Sequence, residues 1–233
     1  MSFCLGIIPA RGCSKGVVDK NIRLLGGIPL IIRTLQCATN SVLLNDFIVT
    51  TDSKKIKDVV EDFGFTIPFL RPQELAGDQS KTIDVVIHAL NWYETNNKQH
   101  VDYVVLLQPT SPLRLPSDID DGIQILKKNK KSFSLISCYV SNTHPNIMYN
   151  LSRDGVLIPY DNVGEITRRQ DLDKVYVRNG AIYVTERDFL IEKRRMICDQ
   201  PVPLTMERKR SVNIDEELDF VLAESLYNHL NDN

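Results

Sequence analysis

FCLGIIPARGCSKGVVDKN, residues 3–21, decides how the rest of the chain is read. Its first part, 3–9, is apolar on both faces, as a strand covered by helices on either side must be. That strand runs straight into a loop carrying Gly12 and Gly16 together with Arg11, Lys15 and Lys20. Cations so close repel one another, so the arrangement suits a fold in which an anion shares the space. A polyphosphate fits best. The glycines permit close backbone approach with N–H groups turned to oxygens, Arg11 offers a planar fork, and the lysines add compact charge. The loop follows neither the GxxxxGK[ST] order nor GxGxxG. The plain alternative is a solvated loop with incidental charges.

Outward from this stretch the pattern repeats. Residues 46–51 and 101–107 are again short and rich in Val, Ile and Leu. Between them Ile83, Val86, Ile87 and Leu90 recur at i, i+3, i+4 and i+7 and draw one helical face. A second helix is expected from Ser117, with Ser117 and Asp120 as a capping box and Ile119, Ile123 and Leu126 inward. A third runs from about Asp215 to Leu230, with Leu218, Leu222 and Leu226 inward. This order implies an α/β fold with a doubly wound, mostly parallel sheet, whose ligands lie beyond the carboxyl ends of the strands. Residues 141–175, rich in turn formers and short strand-like pieces, read as an inserted hairpin arm of the kind used for dimer contacts. The expected organisation is one domain over 1–233 with that arm.

The bulk numbers exclude several classes. Hydrophobic residues make up 42% and charged residues 25% of the chain, ordinary values for a globular protein. A formal net charge of -2 provides no global field for nucleic acid or anionic membrane, so basic residues must act locally. The five cysteines are scattered, without zinc-ligand spacing or a disulfide framework. The N-terminal run is too short to span a membrane and lacks a basic flank, so a cytoplasmic location is expected.

Four further stretches fall where strand ends are expected. In VVLLQPTSPLR, 104–114, prolines fix the backbone after a strand and hold Gln108 toward the crevice; a rigid connection is the bland reading. In FLRPQELAGDQSKT, 69–82, Arg71 precedes a loop with Ser80 and Thr82 at a helix N-terminus, an anion-binding surface or merely a cap from Ser80. RRQDLDKVYVRNGAIYVT, 168–185, brings Arg168, Arg169 and Arg178 near an Asn179-Gly180 pair, read as a kink that admits a ligand or as a β-bulge. In RSVNIDEELDF, 210–220, Asn213 and Asp215 at i, i+2 on a strand end share a face. The carboxylate suits Mg²⁺ with the Asn carbonyl as a weaker second ligand, although Asp215 can equally cap the last helix.

Together IIPARGCSKGVVDKN, LRPQELAGD, LLQPTSPLR, NGAIY and SVNIDEELD resemble the acylneuraminate cytidylyltransferases, in that family's order and from residue 6 to about 220. The resemblance implies a Rossmann-like nucleotidyltransferase in which CTP and a nine-carbon acidic sugar give a CMP-sugar and pyrophosphate, assisted by Mg²⁺. It places Arg11, Ser14 and Lys20 on the triphosphate, Asn21 near the ribose and α-phosphate, Arg71 on cytosine aided by backbone near Ser80, and Thr82 by the phosphates. Gln108 would orient the sugar, Arg169 would approach it from the arm across a homodimer interface, and Asp215 would hold the metal.

Three departures bear on this. Asn213 stands where many members have Asp, which leaves Asp215 most of the coordination. Val177-Arg178-Asn179-Gly180 replaces Arg-Pro-Asn-Gly, so Arg178 is expected to turn to the other face of its strand and to matter less than Arg169. His144-Pro145 is followed by Asn146-Ile147-Met148 rather than Leu-Lys, which favours a less polar sugar tail, such as that of a diacetylated legionaminic or pseudaminic acid. The alternatives are a cytidylyltransferase for the eight-carbon acid Kdo, or a non-catalytic CTP- or CMP-sugar-binding regulator. A dehydrogenase is disfavoured because GxGxxG is absent.

Overall fold

The computed structural model describes residues 2–12, 16–77, 79–160 and 172–232. In chain order β1 (Cys4–Pro9) is followed by the small hairpin β2 (Leu24–Leu25) and β3 (Ile28–Pro29), then α1 (Leu30–Thr39), β4 (Asp46–Thr50) and α2 (Lys54–Asp62). Next come α3 (Thr82–Asn97), β5 (Tyr103–Leu107), α4 (Pro116–Lys128) and β6 (Ser134–Val140). The arm hairpin β7 (Tyr149–Leu151) and β8 (Leu157–Pro159) leads to β9 (Tyr176–Glu186), α5 (Arg187–Lys193), β10 (Val202–Thr205) and α6 (Glu217–Asn231).

The apolar runs at 3–9, 46–51 and 101–107 are strands because both of their faces are covered. Leu5 and Ile7 join Val104 and Leu106 against Val86, Leu90 and Tyr93 of α3. Cys4 and Ile8 join Val105 and Leu107 on the opposite face, against Ile31 and Leu35 of α1 and Ile119 and Ile123 of α4. The period of two along each strand thus feeds two separate cores.

Among the described residues the main sheet has six strands in the order β10–β6–β9–β5–β1–β4. β1 pairs in parallel with β4 and β5, Ile7 standing opposite Ile48 on one side and Leu106 on the other. β9 runs antiparallel to β5 and β6, while β10 is parallel to β6. The expected doubly wound, mostly parallel sheet is what forms. From β1 the chain goes to β4 at one edge and returns to β5 on the other side of β1, so a crevice opens beyond their carboxyl ends.

Three helix details differ from the sequence reading. α4 begins at Pro116, with the Leu115 N–H donating to Asp118 (2.7 Å), while Asp120 takes the Ser41 hydroxyl at 2.6 Å and ties down the turn before β4. Ser80 does not cap α3; its hydroxyl donates to the Glu74 carbonyl at 3.1 Å. α6 is rotated from the expected face. Phe220 and Ala223 are buried, and Leu226, Tyr227 and Leu230 half-buried, against a third core around Val17, Leu25 and Ile214, whereas Leu218 and Leu222 are exposed. Cys4, Cys37, Cys138 and Cys198 are buried and unpaired. Among the described residues no helix is long and apolar enough to cross a membrane.

Candidate active site

The loop after β1 and the segment before α6 meet at Gly16. A Cβ there would stand 1.9 Å from the Asp215 carbonyl oxygen, so the contact tolerates no side chain. Lys20, in a short 3-10 turn, donates to the Ile214 carbonyl at 2.6 Å and lies 3.3 Å from Asp215 Oδ1. Buried Asn21 donates its Nδ2 to the Arg11 carbonyl at 3.0 Å and so clamps the loop from beneath. Arg11 is exposed at the rim. Ser14 and Lys15 fall outside the described residues.

Asn213 and Asp215 do not sit on a strand. Their segment is irregular, held by the Ile214 N–H donating to the Thr110 carbonyl at 2.8 Å. The side chains still meet, because Asn213 Nδ2 donates to Asp215 Oδ2 at 2.5 Å. Nor does Asp215 cap α6. Glu216 is the N-cap residue, and Asp219 reaches back to accept both the Asp215 and Glu216 N–H groups at 2.9 Å. Relieved of that duty, the Asp215 carboxylate is 71% exposed in the cleft.

Beyond β5, Gln108 faces Gly180 of β9. Gly180 has φ +75, and a Cβ on it would approach Gln108 Oε1 to 3.0 Å. Its left-handed backbone is part of a bulge: the β6–β9 register jumps so that Asn179 to Ile182 stand opposite Ser137 alone. The two readings of the Asn-Gly pair, kink and bulge, therefore coincide. Asn179 fills the bulge from inside, donating Nδ2 to Ser211 Oγ at 2.9 Å and accepting from the Ser137 hydroxyl at 2.6 Å and the Ala181 N–H at 3.1 Å. Arg114 lies fully buried behind it, donating to the carbonyls of Gln108 and Ala181 and to Thr34 Oγ1. Burial pulls its guanidinium down to about 10, against the pull of Cys37 and Asp118, and it stays protonated at neutral pH.

The far end of the cleft is formed by Arg71, Leu75, Gly77 and Ser80. The Arg71 side chain is 4% exposed, and it donates to Asp52 Oδ1 at 2.9 Å. Its Nε is buried and has no partner among the described residues. Thr82 opens α3 between this end and Gln108.

These groups line one cavity of about 550 Å³. Arg11, Lys20, Asn21, Arg71, Ser80, Thr82, Gln108, Asn213 and Asp215 all belong to it, drawn from ends of the chain up to 204 residues apart by numbering (215 − 11). Arg168 and Arg169 lie outside the described residues. Arg178, expected to turn to the other face, lines the cleft, because the bulge absorbs the one-place shift that would turn a regular strand residue away. Tyr183 was overlooked although it completes NGAIY; burial raises its phenol, partly offset by the Arg178 charge, so it stays protonated. Past Arg178 a second lobe of about 660 Å³ opens between Val177, Val212, Leu222, Arg208 and Lys209. In the first cavity four cations, Arg11, Lys20, Arg71 and Arg178, against the exposed Asp215 carboxylate suit a polyanion, with the carboxylate placed to share a cation with it.

Residues 5–230 match the protein family described as Cytidylyltransferase. A CMP-N,N'-diacetyllegionaminic acid synthase of Legionella pneumophila is 34% identical over 223 residues, 95% of each chain. Its counterpart of the same name in Campylobacter jejuni is 31% identical over 227 residues, covering 97% of this chain and 95% of the relative. An N-acylneuraminate cytidylyltransferase of Streptococcus agalactiae is 30% identical over 217 residues, 92% of this chain and 51% of that longer protein. A solved structure of a CMP:2-keto-3-deoxy-manno-octonic acid synthetase complexed with CTP superposes with a TM-score of 0.72 over 98% of this chain and 100% of the other, at 15% identity, a likeness of fold.

Proposed function

The chain belongs to the cytidylyltransferase family, and from that premise we propose that it transfers CMP from CTP to the anomeric hydroxyl of a nine-carbon acidic sugar, with release of pyrophosphate. The observation that carries the reading is the convergence of Arg11, Lys20 and Asp215 at one side of a cleft whose other walls are Arg71 and Gln108. Cytosine sits at the Arg71 and Ser80 end, the triphosphate along the 11–20 loop with Ser14 and Thr82 beside it, and the sugar against Gln108, Arg178 and Tyr183. The sugar oxygen bonds to the α-phosphorus, the bond from that phosphorus to the bridging oxygen breaks, and pyrophosphate departs while the hydroxyl proton passes to solvent. Little covalent work falls to the protein. It aligns the reactants and neutralises charge on the departing group, the task of Arg11 and Lys20.

Mg²⁺ fits the donor set, since this hard cation takes one or two carboxylates and completes its shell with phosphate oxygens and water. Asp215 supplies the carboxylate. Asn213 turns its NH₂ toward Asp215 and orients that carboxylate, and its carbonyl oxygen, 3.5 Å from Ser111 Oγ, remains the weaker second ligand. When bound, the ion would offset phosphate charge as a Lewis acid.

For the sugar, we favour a diacetylated legionaminic acid. The names of two relatives support this, as does the apolar Ile147 on the arm, where a cation would suit a more polar tail. The arm's exposed Leu151, Leu157, Ile158 and Tyr160 fit a homodimer in which a second copy covers them and brings Arg169 to the sugar. Buried, unpaired thiols suit a reducing cytoplasm. The test is pyrophosphate release from CTP and Mg²⁺ with a panel of acidic sugars. Turnover with N,N'-diacetyllegionaminate well above N-acetylneuraminate and Kdo is expected. A preference for N-acetylneuraminate overturns the choice of sugar, a preference for Kdo overturns the nine-carbon class, and no release with any sugar points to a regulator.

A further inference from the structure

Asp52 stands at the carboxyl end of β4, where neither a motif nor the family likeness had drawn attention to it. Its Oδ1 accepts two N–H groups from separate segments of the chain: the Arg71 guanidinium at 2.9 Å and the Gly12 backbone at 3.2 Å. Both partners are pressed onto this point. The Arg71 backbone N–H donates to the Thr51 carbonyl at 2.7 Å, through a parallel bridge of Leu70 to Thr51. A Cβ on Gly12 would fall 2.8 Å from the Ser53 Cβ, so the loop lies directly on this corner. Asp52 itself is fixed between Thr51, whose hydroxyl accepts the Ser53 N–H at 3.1 Å, and Ser53, whose hydroxyl caps α2 by accepting from Ile56 at 3.3 Å.

We propose that Asp52 is a positioning residue that sets base selectivity, holding the Arg71 guanidinium in the one orientation that matches cytosine and tying that orientation to the loop that carries Arg11. The inference rests on the reading of this cleft as a CTP site. Cytosine presents two adjacent acceptors, O2 and N3, whereas uracil presents an N–H at N3. A guanidinium held by Asp52 discriminates between them only while its plane is fixed. A free guanidinium could turn to the uracil carbonyls instead. Because one oxygen holds both Arg71 and Gly12, a nucleotide with the wrong base also meets a misplaced triphosphate loop.

Equilibrium titration of the full chain with CTP and with UTP, in parallel with the melting temperature, tests this without requiring turnover. Asp52→Ala should weaken CTP binding and shrink the preference for CTP over UTP by about tenfold or more. Asp52→Asn, which keeps an acceptor oxygen but not its charge, should retain part of the preference. Equal weakening of both nucleotides, with the preference intact, overturns the role and leaves Asp52 a structural corner. Should Asp52→Ala fail to fold, Asp52→Asn decides alone, since an unchanged preference there overturns the proposal. Wild-type protein that binds UTP as well as CTP refutes the CTP reading itself, an outcome separate from a wild-type preference that survives in both variants.

Discussion

The two ends of the central sheet treat their charges in opposite ways. Where β5 begins, Glu94 is closed off. Arg187 grips both of its oxygens at 3.1 and 2.9 Å, and the Val101 N–H adds a third bond at 3.1 Å. Where β5 stops, Asp215 touches Lys20 through one oxygen and Asn213 through the other, and remains largely in solvent. At that same end the Arg71 Nε has no partner among the described residues, and the hairpin between Val140 and Tyr176 turns Leu157 and Ile158 outward. A satisfied pair contributes stability and is complete. Charged groups left exposed in a cleft, by contrast, can still take a partner that arrives from outside. By that measure one end of the sheet is left open to an anion, and the other is closed.

The largest effect that could break this contrast is at Asp215. Asp215→Ala should lower kcat for CTP-dependent pyrophosphate release by roughly 100- to 1000-fold. Because the carboxylate is exposed and caps nothing, the melting temperature should stay close to that of the wild type. A tenfold loss or less, or a protein that unfolds instead, would mean that Asp215 belongs with Glu94 as a structural partner.

How far this was legible in the sequence follows the same division. The three strands announced themselves because their central residues are apolar on both faces, and the side chains placed at their carboxyl ends followed from topology. α6 was read correctly at Leu226 and misread at Leu218 and Leu222, because Phe220, Ala223 and Tyr227 share a second spacing and periodicity alone does not say which stripe meets the core. Arg178 was discounted by a rule for regular strands that a bulge at Asn179–Ile182 suspends. Asp52 was invisible because its role is to hold two other residues, and a positioning contact leaves no spacing signature.

The arm offers the next test. Leu157→Asp with Ile158→Asp places charge on a face whose apolar exposure is the reason to expect a partner. Light scattering should show a wild-type dimer and a variant whose dimer dissociates at least about tenfold more readily. Binding of CTP should persist, since the proposed contacts Lys20, Arg71 and Asp215 come from outside the arm. A wild type that is monomeric at all concentrations would remove the arm from the open end of the comparison.

The smallest expected effect is at the closed end. Burial works to raise the Glu94 pKa, but the Arg187 hydrogen bond, the Val101 N–H and the nearby charges of Arg187 and His100 outweigh it, and the carboxyl lies below its ordinary range. The sign follows from the depressed value. The carboxylate's contribution to stability is complete above the ordinary glutamate pKa and is lost as pH falls through the lower folded one. Glu94→Gln keeps the shape and an acceptor but drops the charge, so urea unfolding at neutral pH should show a loss of about 1 kcal/mol. That difference should shrink toward zero as acid protonates Glu94 in the wild type, while kcat/KM for CTP stays within about twofold, far inside the loss that removal of a transition-state contact brings. A loss of turnover without a change in stability, or a stability gap that ignores pH, would show that the pair at the foot of the sheet is tied to the cleft after all, and that full hydrogen bonding does not mark the end that is finished.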